Sequence, residues 1–202
     1  MAINNVSCML ITPSVALIIL AAGNSSRLGK PKQNLPYQNK TLLQHVINEG
    51  SKANLYPIIV VEGSTKLQVS EDIHLVKNNN WDQGMGSSIS TGISALLKIQ
   101  SKTELLILTV CDQPFISAEL FIKLVDKHCK QNTGIVASAY ADTAGTPVLF
   151  SKKYYDDLLN LKGQEGAKRL IQNHQDDVFL VQFPQGNIDI DTLTDYTNLI
   201  NP

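Results

Sequence analysis

Residues 15–21 read VALIILA, an apolar run with no polar interruption. A strand with one wet face alternates apolar and polar residues. An unbroken run instead marks a strand buried on both faces, as in a parallel sheet covered by helices. The run stops at Gly23, and Asn24, Ser25 and Ser26 follow, all turn-forming residues with short polar side chains. Arg27 and Lys32 come just past the turn. A buried strand feeding a small polar loop and then cations suits a polyphosphate. Backbone N–H groups can close on the anion while the side chains offset its charge. By itself the stretch also reads as an ordinary strand-to-helix turn with two surface cations. It is not GxxxxGK[ST], and Gly23 and Gly29 do not space as GxGxxG, which removes two familiar phosphate loops.

Further apolar runs occur at 56–63, 73–78, 105–110, 134–140 and 177–183, and ADTAGTPVLF leads into another strand. Helical patterns lie between them. Thr41 is a suitable N-cap for a segment with Leu42, Leu43, Val46 and Ile47 on one face, closed by Gly50. Residues 117–130 form another helix, with Leu120, Ile122, Leu124 and Val125 as core candidates, and 154–174 reads as two short helices broken near Gly163. Buried strands alternating with helices predict a doubly wound α/β sheet of parallel strands.

Residues 78–86 form a loop rich in amides and glycine, and Ser87 or Ser88 can cap the helix carrying Ile89, Ile93, Leu96 and Leu97. Amide side chains offer donor and acceptor together and can read a base edge, while a helix N-terminus favours anions. Asp112 falls at the carboxyl end of the 105–110 strand, where open α/β sheets bind ligands. Beside a triphosphate that carboxylate needs a cation, and Mg²⁺ suits it. Near the end, Asp189 and Asp191 alternate with Ile188 and Ile190, so both acids share one face of an extended segment, and Thr192 or Thr194 starts the closing helix. His45, His74, His128 and His174 belong to no motif and read as surface or edge residues.

The chain has 202 residues, enough for one α/β domain that needs no staples. We read 1–14 as a short leader and 15–202 as the domain. Its 43% hydrophobic and 17% charged content is that of a globular protein, and a net charge of −1 gives no basic footprint for nucleic acid or a membrane surface. Cys8, Cys111 and Cys129 lack CxxC spacing, so reduced thiols and a cytoplasmic location are expected. The apolar run at 15–21 is far shorter than a membrane span requires.

Leu20, Ala21, Ala22, Gly23, Ser25, Arg27, Gly29 and Lys32 together spell LAAGxSxRxGxxK, which resembles the signature of the MobA-like nucleotidyltransferases. The LAAG form is similar to the cytidylyl branch serving the molybdenum cofactor. Asn78, Trp81, Gly84, Met85, Ser87 and Ser88 resemble a second segment of that branch, and Asp112-Gln113-Pro114 a third. Five positions depart from the pattern: Thr146 stands where histidine is usual, Gln164 where Asp is usual, Lys168 where Arg is usual, Leu193 where Pro is usual and Thr194 where Glu is usual.

The resemblance implies a Rossmann-like three-layer α/β/α nucleotidyltransferase fold with a mostly parallel sheet. It implies transfer of CMP from CTP to the phosphate of molybdopterin, with release of pyrophosphate. A recipient molybdoenzyme or its chaperone would be a further partner. Such a transfer needs in-line positioning and charge neutralisation more than a strong base. Arg27 and Lys32 are then expected on the triphosphate, and Leu20, Ala21, Ala22, Gly23, Ser25 and Ser26 around the nucleotide with Asn78 and Ser88. Asp112 and Asp191 would hold Mg²⁺, with Asp189 the weaker candidate. A guanylyltransferase, a sugar- or polyol-phosphate nucleotidyltransferase, and a non-catalytic nucleotide-binding partner of a molybdoenzyme stay open as alternatives.

Overall fold

The computed structural model describes residues 14–201. The leader expected over 1–14 therefore lies, Ser14 excepted, outside the described residues, as does Cys8.

The elements run β1 (Val15–Ala21), β2 (Pro36–Tyr37), β3 (Lys40–Thr41), α1 (Leu42–Lys52), β4 (Ile58–Glu62), β5 (His74–Lys77) and α2 (Met85–Ile99). They continue with β6 (Leu105–Val110), α3 (Ala118–Gln131), β7 (Ile135–Tyr140), β8 (Thr143–Ser151), α4 (Tyr155–Leu159), α5 (Ala167–Asn173), β9 (Val178–Gln182) and α6 (Leu193–Ile200). Seven strands make one sheet in the order β5-β4-β1-β6-β8-β7-β9, while β2 and β3 form a separate two-stranded ribbon. All pairings in the large sheet are parallel except those of β8, which runs antiparallel to both β6 and β7. β7 turns straight back into β8, and β8 inserts beside β6. A tight turn permits only this antiparallel return.

The side chains of β1 show why its sequence has no alternation. Leu17, Ile19 and Ala21 join one core with Leu43, Val46 and Ile47 of α1 and Leu120, Phe121 and Leu124 of α3. Ala16, Ile18 and Leu20 face the other core, built with Ile89, Ile93 and Leu96 of α2 and Leu158, Leu170 and Ile171 of α4 and α5. Both faces of the sheet are therefore covered, giving the expected three layers.

Thr41 caps α1, its Oγ1 accepting from the Gln44 N–H at 3.1 Å. Gly50 does not end that helix, which continues to Lys52. A Cβ at Gly50 would run into the Leu17 side chain, so this glycine serves close helix–sheet packing. Ser117 caps α3, while Ile122, expected in the core, is 49% exposed on that helix. Thr192 starts α6 through a capping box with Asp195. His45 also departs from expectation. It is buried, burial lowers its pKa, and Nε2 lies 2.9 Å from the Ile116 carbonyl oxygen.

Candidate functional site

β1, β4 and β6 run parallel, so their carboxyl ends open on the same side of the sheet. A cleft of about 380 Å³ lies there, and Leu20, Ala21, Ala22, Gly23 and Asn24 form one wall. Lys32, Gln33, Val110, Cys111 and Asp112 line it too, with Trp81, Asp82, Gly84, Met85, Ser88 and Gln164. A larger groove, about 870 Å³, runs between the β2–β3 ribbon and α6 and contains none of the expected site residues.

A chain of charges runs across the cleft mouth. Lys32 Nζ donates to Asp112 Oδ2 and, at 3.0 Å, to Asp191 Oδ1. Arg27 donates to Asp191 Oδ2 at 2.7 Å from a side chain that is 70% exposed. Burial works against the Lys32 charge, but Asp112 and then Asp191 outweigh it and hold its pKa above the ordinary lysine value. For Asp191 burial opposes ionisation, and the Lys32 and Arg27 contacts overcome it, so its pKa is lowered. Asp189 is exposed as a residue, yet its carboxyl is poorly hydrated. That desolvation, with the charges of Asp112 and Asp191 next, pushes its pKa up to about 6.

Backbone contacts explain how acids so distant in sequence meet. The Ile190 N–H donates to the Asp112 carbonyl oxygen at 3.0 Å, setting residue 191 beside Lys32. Ile190 is fully buried, in a small cluster with Leu28, Leu35, Tyr37 and Leu42. Gln113, also buried, donates from Nε2 to the Gly186 carbonyl oxygen at 2.7 Å and pins the turn that precedes this segment. Thr146, at the first departure from the family pattern, is 3.4 Å from the Gln113 Oε1.

The expected residues separate into groups. Leu20, Ala21, Ala22, Gly23, Lys32, Ser88 and Asp112 line the cleft. Arg27 and Asp191 stand at its rim through the ion-pair chain. Ser25 and Ser26 do not line it. Ser25 adopts a left-handed backbone (φ 52) and its Oγ accepts from the Lys32 N–H at 3.1 Å, so it shapes the turn that presents Lys32.

Asn78 is placed inside the 78–86 loop and is not among the residues that line the cleft. It is buried, its Nδ2 donates to Ser87 Oγ and Ser88 Oγ, and its Oδ1 accepts from the Asn80 N–H. Both ends of the amide are engaged inside the loop, so holding that loop together accounts for an amide at this position. The capping expectation changes too: α2 begins at Met85 with Gly84 as N-cap, and neither Ser87 nor Ser88 caps it.

No group of three acidic, histidine or cysteine ligands converges among the described residues. Asp112 and Asp191 are instead joined through the Lys32 ammonium.

Gln33, Trp81, Asp82, Met85 and Gln164 line the cleft without having been singled out as binding residues. Gln164 arrives there because the 161–166 segment docks on the start of α2. The Gly86 N–H donates to the Gly163 carbonyl oxygen at 3.0 Å. Gly84 has φ 104, and a Cβ there would strike that same carbonyl, so the approach requires glycine. Lys168 lies in a separate groove with Asp142 and Gln172.

Residues 17–178 match the sequence profile described as the MobA-like NTP transferase domain. The nicotine blue oxidoreductase of Paenarthrobacter nicotinovorans is 30% identical over 141 residues, spanning 67% of this chain and 66% of that protein. The molybdenum cofactor cytidylyltransferase of Escherichia coli is 28% identical over 145 residues, 69% of this chain and 71% of that one. Among solved structures, Rv0371c of Mycobacterium tuberculosis superposes with a TM-score of 0.76 at 26% identity, covering 95% of this chain and 100% of that one. Rv0371c has also been solved in complex with manganese, and that structure superposes with a TM-score of 0.75 at 24% identity, covering 93% of this chain and 98% of that one.

Proposed function

Because the chain belongs to the MobA-like NTP transferase family, we propose that it transfers CMP from CTP to the phosphate of molybdopterin and releases pyrophosphate. The observation that carries this reading is the Arg27–Asp191–Lys32–Asp112 charge chain at the mouth of a cleft walled by residues 20–24. A phosphate oxygen of the acceptor attacks the α-phosphorus, and the bond to the bridging oxygen of pyrophosphate breaks. The nucleophile is already anionic at neutral pH, so no general base is required. The protein's work is to hold the two phosphates in line and to offset charge on the departing pyrophosphate.

Lys32 and Arg27 do the second task. Lys32 is positioned by two carboxylates, so its ammonium is oriented before the substrate arrives. Arg27, largely in solvent and paired with Asp191, stands where it can turn to a phosphate at the rim. Ala22 and Ser88 flank the nucleotide, and the methyl of Ala22 favours a pyrimidine where a glycine would admit a purine.

Mg²⁺ fits the donor set, since Asp112 and Asp191 supply the hard carboxylate oxygens it takes. With only two well-placed carboxylates, phosphate oxygens and waters would complete its shell, as is usual for this ion. When bound it supplies charge neutralisation for the phosphates. The reaction is proposed to take place in the cytoplasm, in keeping with the free thiols of Cys111 and Cys129.

One observation favours a second reading. Gln164, a neutral amide where the family commonly has an acid, lines the cleft. An acceptor other than molybdopterin, still bearing a phosphate nucleophile, fits that change. A panel of nucleoside triphosphates assayed with molybdopterin and Mg²⁺ for pyrophosphate release tests both. CTP with molybdopterin should give turnover, whereas pyrophosphate released only with another phosphate acceptor would favour the second reading. No release with any acceptor would leave a nucleotide-binding role without catalysis.

A further inference from the structure

Gln33 is fully buried, immediately follows Lys32, and lies in the short 3₁₀ turn Lys32–Asn34. Its Nε2 donates to the Ala21 carbonyl oxygen at 2.6 Å and to the Gly23 carbonyl oxygen at 3.0 Å. The orientation of the amide is dictated by this pair, because exchanging its nitrogen and oxygen would press three carbonyl oxygens together. Gln33 Oε1, in contrast, is buried and has no hydrogen-bond partner among the described residues. A methionine would occupy similar space without burying an unpaired acceptor, which is a cost. Packing therefore does not account for an amide here, and the two carbonyls do.

Those carbonyls bracket Ala22. In a trans peptide the N–H points opposite to the C=O. Tying the Ala21 carbonyl to Gln33 thus aims the Ala22 N–H the other way, and tying the Gly23 carbonyl does the same for the Asn24 N–H. Ala22 and Asn24 both line the cleft. From another side the Ala22 carbonyl rests against Gly63, where a Cβ would collide with it. The loop is held on both sides before any ligand arrives.

We propose that Gln33 is a positioning residue for the nucleotide: its side-chain amide fixes the Ala21–Ala22 and Gly23–Asn24 peptide planes and so aims the Ala22 and Asn24 N–H groups into the cleft. Preorganised donors of this kind act because no reorientation is needed on binding. The inference rests on the nucleotidyl-transfer reading above.

The test uses the full chain with CTP, Mg²⁺ and molybdopterin, comparing Gln33→Met and Gln33→Glu with wild type. Gln33→Met keeps the volume and loses the donors. Gln33→Glu is isosteric but sets carboxylate oxygens against the two carbonyls. Gln33→Met should raise the KM for CTP about tenfold, with the acceptor KM and kcat within threefold of wild type. Gln33→Glu should be worse than Gln33→Met, and melting curves show that each protein assayed is folded. A folded Gln33→Met with unchanged KM for CTP overturns the inference. So does a loss confined to kcat, which is the mark of a smaller active fraction. Wild-type protein that turns over no nucleoside triphosphate overturns the underlying reading instead.

Discussion

Replacing Lys32 by alanine removes a cation held between two carboxylates. Its side chain and that of Asp112 are only 15% and 16% exposed, and Asp191 Oδ1 lies 3.0 Å from Nζ. At an effective dielectric near 20, a pair of unit charges at such a distance attracts by about 5 kcal/mol before hydration is counted. Desolvation cancels most of that, and the more exposed Asp191 is screened by solvent. The net loss of folding stability is therefore expected to be about 1–2 kcal/mol, below the range for a fully buried pair broken on one side. Turnover should suffer more. Withdrawing a preoriented cation from developing pyrophosphate charge costs about 3 kcal/mol, or roughly 10²-fold in kcat/KM. A second consequence separates this account from simple damage. The Lys32 ammonium competes with any divalent cation for Asp112 and Asp191, so Lys32→Ala should bind Mg²⁺ more tightly while turning over more slowly. Steady-state pyrophosphate release across a Mg²⁺ titration measures both, with urea unfolding as the control. A folded variant within threefold of wild-type turnover, or one that needs as much Mg²⁺ as wild type or more for half-maximal turnover, would refute the reasoning.

Three further outcomes are expected. Wild-type protein should use CTP at least about tenfold more efficiently than GTP, and Ala22→Gly should narrow the gap, since one methyl discriminates by about 1–3 kcal/mol; competition between the two nucleotides reads this directly, and an unchanged or wider gap removes Ala22 from the specificity argument. Gly84→Ala should cost about 2 kcal/mol in urea unfolding, because it combines a left-handed backbone with a collision against the Gly163 carbonyl; a change under about 0.5 kcal/mol would mean that the 161–166 segment is not docked as described. Asp177 accepts from the Gly134 N–H, the Tyr154 hydroxyl and Lys153, and although burial opposes its ionisation, the Lys153 and Tyr154 contacts prevail and hold its pKa at about 2. A carboxyl depressed on folding stabilises above its unfolded pKa of 3.8 and loses that contribution as pH falls through the folded value. Asp177→Asn should thus cost about 1 kcal/mol at pH 7, after allowance for screening, with the gap closing between about pH 4 and 2; a gap independent of pH would contradict the assignment.

Much of the fold was legible because it depends on local pattern. The run at 15–21 had to be covered on both faces, and Thr41, Ser117 and Thr192 cap their helices as short polar side chains do. What escaped depends on contacts between distant residues. Lys32 meets Asp112 across 80 positions and Asp191 across 159, and no spacing rule announces that a lysine will stand between two acids expected to hold a metal. Asn78 was legible as an amide in an unusual loop, but its burial, and hence its structural role, follows from the packing of that loop on Ser87 and Ser88. Gln33 gave no signal at all, since a lone glutamine in a polar loop is usually a surface residue. The insertion of β8 beside β6 was also hidden, because the strand's composition does not record its direction.

The central claim is that this cleft moves the α-phosphate of CTP onto a phosphate acceptor. The most direct measurement is transfer of label from α-labelled CTP to molybdopterin by the purified full chain in Mg²⁺, with products separated and counted. The account predicts label in a cytidine–molybdopterin dinucleotide, unlabelled pyrophosphate in equal amount, and loss of both with Asp112→Asn. Label recovered only as CTP or free CMP, with no adduct formed, would contradict it.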